Sequence, residues 1–310
     1  MAEPFTAASF NVNGIRASTR RGFADWLATR SPDAAALQEM RCPVSELPAF
    51  RGYHLAYDPG TLAGRNGVAV LTREPPEAVR TWGSTVWLSG PSVAGGRSGD
   101  SVAAGRGGAL ARGLATYAAE GRYIEVDLTD RPVTVACLYL PKGGLPAHMQ
   151  KSGGMRDAPD GGAKYLRKMR FLGSFARQLD RARLAARARG REFLLMGDLN
   201  IAHTELDVTR WRPAQKMEGF LPEERQWLGA RLGPRTLVDV VRMLHPGEPG
   251  PLSWWSWLGR SFENDVGWRI DYHLASPALA RTAAWAGVDR AATREQRMSD
   301  HAPVVVGYEL

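Results

Sequence analysis

The stretch Phe193-Leu194-Leu195-Met196-Gly197-Asp198-Leu199-Asn200 runs four apolar residues straight into a glycine, a carboxylate and an amide. A continuous apolar run bounded by turn residues is the pattern of a strand covered on both faces. The pattern recurs along the chain. Strands are expected over residues 6–12, 34–38, 67–72, 123–128, 133–139, 193–196, 269–275 and 304–308. Helical patterns lie between them. Residues 22–29 form one. Residues 163–189 form the longest, where Tyr165, Met169, Leu172, Phe175 and Leu179 recur every three or four positions as one apolar stripe. Residues 223–232 form a third, opened by Pro222 and closed by Gly233-Pro234. Strands alternating with helices predict an α/β layered domain.

Composition narrows the field. The 310 residues are 44% hydrophobic and 23% charged, which excludes wholesale disorder and collagen-like structure. No apolar run approaches the roughly 18 residues a membrane helix needs. Two cysteines, Cys42 and Cys137, exclude a disulfide scaffold and a multi-cysteine zinc site. Met1-Ala2-Glu3-Pro4 has neither a basic nor a long apolar region, so no signal peptide is expected, and the reducing cytoplasm is the expected compartment. A net charge of +8 favours polyanionic partners. That signal is soft, because an Arg-, Ala- and Gly-rich composition also follows from GC-rich coding. Residues 89–113 are packed with Gly, Ser, Ala and Arg without periodicity and read as a long mobile loop inserted between two strands; residues 142–162 are a second Gly-rich stretch. No repeat or linker divides the chain, so residues 1–310 are expected to form a single domain.

Functional groups in α/β sheets gather just past strand ends. Here Asn11 and Asn13 close the first strand, Glu39 the second and Tyr139 the fifth; Asp198 and Asn200 follow the sixth. Asp271 lies in Trp268-Arg269-Ile270-Asp271-Tyr272, and Ser299-Asp300-His301 precedes the last strand. Any one of these is more often a turn, a cap or a surface polar group. Together they supply what phosphodiester hydrolysis requires. Glu39 and Asp300 can hold a hard divalent cation, which neutralises phosphate charge. Asp198 can activate water, with Asn11 and Asn200 positioning it. His301 can donate to phosphate if Asp271 holds its ring, and the Tyr139 hydroxyl can donate to phosphoryl oxygens. No Gly-x-Ser-x-Gly elbow or Gly-Lys-Ser/Thr phosphate loop competes with this set. His245 and His273 lack further nearby ligands.

Read in order, the segments resemble the exonuclease III / AP endonuclease family of the endonuclease–exonuclease–phosphatase superfamily. The resemblance rests on Ser9-Phe10-Asn11-Val12-Asn13-Gly14-Ile15-Arg16, Leu37-Gln38-Glu39, Asn66-Gly67-Val68-Ala69, Tyr139-Leu140-Pro141 and Met196-Gly197-Asp198-Leu199-Asn200. It continues through Phe220-Leu221-Pro222-Glu223-Glu224-Arg225, Trp268 to Tyr272 and Ser299-Asp300-His301-Ala302-Pro303. It implies a four-layer sandwich, with two mixed β-sheets packed face to face and flanked by helices. It also implies Mg²⁺-dependent cleavage of duplex DNA 5′ to abasic sites, with Mn²⁺ as a substitute, plus 3′-repair phosphodiesterase and 3′→5′ exonuclease activity on blocked 3′ ends. By the same resemblance the metal centre comprises Asn11, Glu39, Asp198, Asn200, Asp300 and His301. The catalytic set is Tyr139, Asp198, Asn200, Asp271 and His301, and substrate meets Asn13, Lys142, Trp254, Trp268 and Ile270. Ser253-Trp254-Trp255-Ser256-Trp257 with Trp268 matches the family's pocket for a flipped-out, base-less sugar, which costs little to extrude. A monomer, cytoplasmic and nucleoid-associated, with no membrane partner, completes the expectation. Superfamily relatives with other substrates share the metal centre, so a predominantly 3′→5′ exonuclease and a phosphatase or phosphodiesterase on non-DNA substrates stay open.

Overall fold

A computed structural model describes residues 4–62, 64–91, 99–103, 105, 109–150 and 158–310. Its fourteen strands are β1 Pro4–Asn11, β2 Ala34–Gln38, β3 His54–Asp58, β4 Val68–Thr72, β5 Ala78–Thr81, β6 Thr85–Ser89, β7 Gly99–Ala103, β8 Tyr123–Asp127, β9 Val133–Tyr139, β10 Glu192–Asp198, β11 Val238–Asp239, β12 Asp271–Ala275, β13 Ala283–Val288 and β14 Val304–Glu309. Eight form one sheet in the order β13-β14-β1-β2-β4-β3-β6-β7, and six form the other in the order β11-β12-β10-β9-β8-β5. Both are mixed: β1 is parallel to β2 and antiparallel to β14, while β10 is parallel to β9 and antiparallel to β12.

Strand alternation explains the opening apolar run. Leu194 and Met196 face the other sheet, packing in one cluster with Val68, Val70 and Val306. Phe193 and Leu195 face the opposite way, onto Phe171, Phe175 and Leu179 of the long helix Ala163–Ala188. On the far side, Phe10 and Leu37 cover Ile15, Phe23 and Leu27 of the short helices Ile15–Arg20 and Phe23–Arg30. Helix, sheet, sheet, helix is the expected four-layer order, and every position of the 193–196 run is buried because both faces of its sheet are covered.

Several expectations need correction. The supposed loop 89–113 contains β7, paired antiparallel with β6, and runs into a 3₁₀ turn at Arg112–Tyr117. As an edge strand β7 pairs on one side only and is largely exposed, so it needs no apolar alternation. Gly99 is required there: a Cβ would lie 2.7 Å from the Trp87 ring. The rest of the loop reading at 92–98, 104 and 106–108, and that of the second Gly-rich stretch at 151–157, falls outside the described residues. The helix expected over 223–232 spans Pro222–Gly229 instead. No helix among the described residues is long and apolar enough to cross a membrane.

Candidate active site

The register of the six-stranded sheet brings three predicted residues side by side: Asp198 stands opposite both Tyr139 on β9 and Asp271 on β12. Gly197 permits this. Its φ is 150°, and a Cβ there would lie 1.9 Å from the Leu138 carbonyl oxygen. Asn11 reaches across from the other sheet, its Nδ2 donating to Asp198 Oδ2 at 2.9 Å and to Glu39 Oε1 at 3.1 Å. Asn200 donates its backbone N–H to Asp198 Oδ1 at 2.8 Å and its Nδ2 to Oδ2 at 3.1 Å. Both amides therefore hold carboxylates in place. Asn13, Glu39, Arg41 and Asn200 all adopt left-handed backbone with φ between 45° and 54°. Such conformations cost free energy in non-glycine residues and cluster at functional sites.

His301 lies beside these carboxylates. Its Nδ1 is 2.9 Å from Asp271 Oδ2, and its Nε2 is 3.8 Å from Asp198 Oδ2. Ser253 Oγ donates to the same Asp271 oxygen at 2.6 Å and accepts the backbone N–H of Asp271 at 3.2 Å, fixing that carboxylate. Burial opposes charge on His301, but Asp271, Asp198 and Asp300 outweigh it and raise the ring well above the ordinary imidazole range. Burial raises the Asp198 carboxyl; Asp271 and Glu39 add to this and His301 opposes it. A carboxylate so raised is a better base toward water than an exposed one. Asp300 is held below its usual range: burial is overcome by His301 and by bonds from Trp254 and Asn13. Burial, reinforced by Glu39 and Asp198, keeps the Tyr139 phenol protonated and able to donate.

The oxygen-rich donor set suits a hard cation. Among the described residues no three His, Cys, Asp or Glu side chains are arranged as a ready-made set of metal ligands, so a closed cage of the zinc kind is not built. Mg²⁺ asks for less: one or two carboxylates, with water and substrate oxygens completing the shell. Glu39 Oε2 is buried without a hydrogen bond and faces the guanidinium of Arg41 as an ion pair. That is a carboxylate oxygen already placed against positive charge.

Beside these groups opens a cavity of about 480 Å³. Trp254, Trp268 and Ile270 wall one side, Glu39, Tyr139 and His301 contribute polar lining, and Lys142 and Glu218 also line it. Trp254 and Trp268 meet edge to face, their rings 6.5 Å apart. Trp254 Nε1 also donates to Asp300 Oδ2 at 3.1 Å, so the aromatic wall and the acidic site share a member. A larger cavity of about 660 Å³ near Trp82 holds none of these groups.

The thirteen predicted site residues thus meet in one place, with one change of position. Asn13 does not line the cavity; its amide donates to Asp300 at 2.7 Å and accepts from Arg41 at 2.7 Å. Sequence reasoning missed Arg41, Ser253 and Lys168. Arg41 lies two residues past Glu39 and Ser253 begins the quoted Trp cluster, so proximity to a motif was the available signal. Lys168, near the start of an Arg-rich helix, gave none.

A profile of the Endonuclease/Exonuclease/phosphatase family matches residues 8–301. The chain is 28% identical to the exodeoxyribonuclease III of Haemophilus influenzae, over 96% of this chain and 97% of that one. It is 25% identical to a DNA-(apurinic or apyrimidinic site) endonuclease of Dictyostelium discoideum, over 97% of this chain and 70% of that one. Among solved structures, an AP endonuclease from Archaeoglobus fulgidus shares the fold with a TM-score of 0.73 at 24% identity, covering 99% of this chain and all of the other. Because the profile spans nearly the whole length, the chain belongs to the endonuclease/exonuclease/phosphatase family.

Proposed function

We propose that this protein is a Mg²⁺-dependent DNA repair nuclease that hydrolyses the phosphodiester 5′ to abasic sites in duplex DNA, with 3′-repair phosphodiesterase and 3′→5′ exonuclease activity. The observation that carries the reading is the adjacency of the Asp198–His301–Asp271 cluster to a cavity walled by Trp254, Trp268 and Ile270. Glu39 and Asp300 would hold the cation. When bound, it neutralises charge on the phosphate and the leaving oxygen.

The protein's own groups do the rest. Asp198 accepts a proton from the attacking water, oriented by Asn200 and Asn11. His301, kept charged by Asp271, donates to a phosphoryl oxygen, and the Tyr139 phenol donates to another. The tryptophan wall would take a flipped-out, base-less deoxyribose, which costs little to extrude. Incision of a duplex carrying one abasic analogue should be abolished by chelation and restored by added Mg²⁺. Cleavage that persists in excess chelator would rule out the cation's place in this account.

Lys142 would meet a DNA phosphate, yet its Nζ lies 3.6 Å from Glu218 Oε1. The carboxylate competes with the phosphate for the same ammonium. Glu218→Gln should therefore tighten duplex binding and steepen the slope of log affinity against log salt by up to about one. An unchanged slope would make Lys142 a bystander.

A further inference from the structure

Lys168 lies in the second turn of the long helix Ala163–Ala188, yet only 1% of its side chain is exposed. Its Nζ meets three acceptors: Glu224 Oε1 at 2.7 Å, the Asn200 carbonyl at 2.9 Å and the Lys142 carbonyl at 3.0 Å. The two carbonyls accept hydrogen bonds from the ammonium, and Glu224 balances its charge as an ion pair. Glu224, itself fully buried, extends the link: its Oε2 accepts the backbone N–H of Gly219 at 2.7 Å and of Leu221 at 3.0 Å. One ion pair thus ties together three loops, at Lys142, Asn200 and Gly219, all of which line the cavity. The glycine loop folds directly over the lysine stem; a Cβ on Gly143 would lie 2.5 Å from Lys168 Cδ.

Burying an ion pair is poor value for stability, since an apolar pair of like volume often serves as well. What this one does is locate backbone. Asn200 holds both oxygens of Asp198 from a left-handed conformation with φ 49°, in which its amide and its backbone N–H both point at that carboxylate. Lys168 grips its carbonyl. We propose that Lys168, with Glu224, is a positioning residue for hydrolysis: by pinning the Asn200 carbonyl it fixes the orientation in which Asn200 holds Asp198 toward water. Lys168 touches no reacting group. The inference rests on the nuclease reading above.

The test is the double variant Lys168→Met with Glu224→Gln, which leaves neither charge buried alone. Assayed well below its melting temperature, it should lose about 10- to 100-fold in kcat on an abasic duplex while KM stays within about threefold. Added to Asn200→Ala, the same pair should lower kcat by less than about twofold more, because both changes act through one contact. Unchanged kcat, or a full independent loss on top of Asn200→Ala, would overturn the proposal. Independently of turnover, hydrogen exchange at the Asn200 amide should rise at least about tenfold in the double variant. Unchanged exchange there overturns the proposal even if the wild type proves inactive on DNA, an outcome that by itself refutes only the nuclease reading. If the double variant fails to melt cooperatively, Lys168→Arg, which keeps the charge but displaces its donors, is read on the same measures.

Discussion

Asp198→Asn should lower kcat on an abasic duplex by about 10²- to 10⁴-fold, the range for a lost proton-transfer group, with duplex affinity changed only a few-fold. The substitution preserves shape but not chemistry. Asp198 accepts three N–H bonds, one at Oδ1 from the Asn200 backbone and two at Oδ2 from the Asn11 and Asn200 amides. An amide at 198 must turn its own NH₂ toward one of those donors, so it loses a hydrogen bond as well as its basicity. His301→Ala should fall in the same range, because it removes the charged donor that Asp271 holds. Circular dichroism and melting curves should confirm that both variants fold. Turnover near the wild-type rate in either would remove the role assigned to it.

Arg269→Met should destabilise the protein by about 3–5 kcal/mol, the penalty for stripping one partner from a buried ion network. Arg269 is 1% exposed. Its Nε donates to Asp207 Oδ1 at 2.8 Å, and its Nη1 and Nη2 donate to Asp239 at 3.1 and 2.8 Å. Without it both carboxylates stay buried, Asp207 keeping only Arg242 as a cation. Burial tends to raise the Asp207 carboxyl, but Arg269 and Arg242 overcome it and bring it from 3.8 down to about 2. A depressed carboxyl stabilises the fold above its unfolded value, and that contribution disappears as pH falls through its folded value. Asp207 thus contributes about 2 kcal/mol at neutral pH, lost between about pH 4 and pH 2. In Arg269→Met this acid-labile share should shrink. Urea melts at pH 7 and pH 3 measure both effects, and a midpoint unmoved at pH 7 would contradict them. Arg269 stands between Trp268 and Ile270, so the variant should also loosen the aromatic wall.

The residues that were legible in the sequence share a local signature. Glu39, Asp198, Asp271 and His301 each adjoin an apolar run at a strand end, where a polar side chain has no part in the core. The layering was legible in part: strands apolar on both faces need cover on both, which predicts an α/β layered domain, while the two sheets packed face to face were implied by the family resemblance. Edge strands were not: β7, largely exposed and paired on one side, has no periodicity to read. The supporting polar residues were hidden for another reason. Lys168 and Glu224, or Arg269 with Asp207 and Asp239, are separated in sequence by 30 residues or more and become partners only once the sheets close. Each alone looks like an ordinary surface charge; the Arg-rich helix around Lys168 strengthens that impression.

The most direct measurement is single-turnover incision of two duplexes identical except for one abasic analogue. Flipping a stacked, paired nucleotide costs a few kcal/mol that an abasic one has already lost, so the analogue should be cut about 10²-fold faster or more. Trp268→Ala should erase much of that preference while sparing cleavage at a recessed 3′ end. Equal cleavage of both duplexes by the wild-type protein would show that the tryptophan wall does not select the base-less sugar.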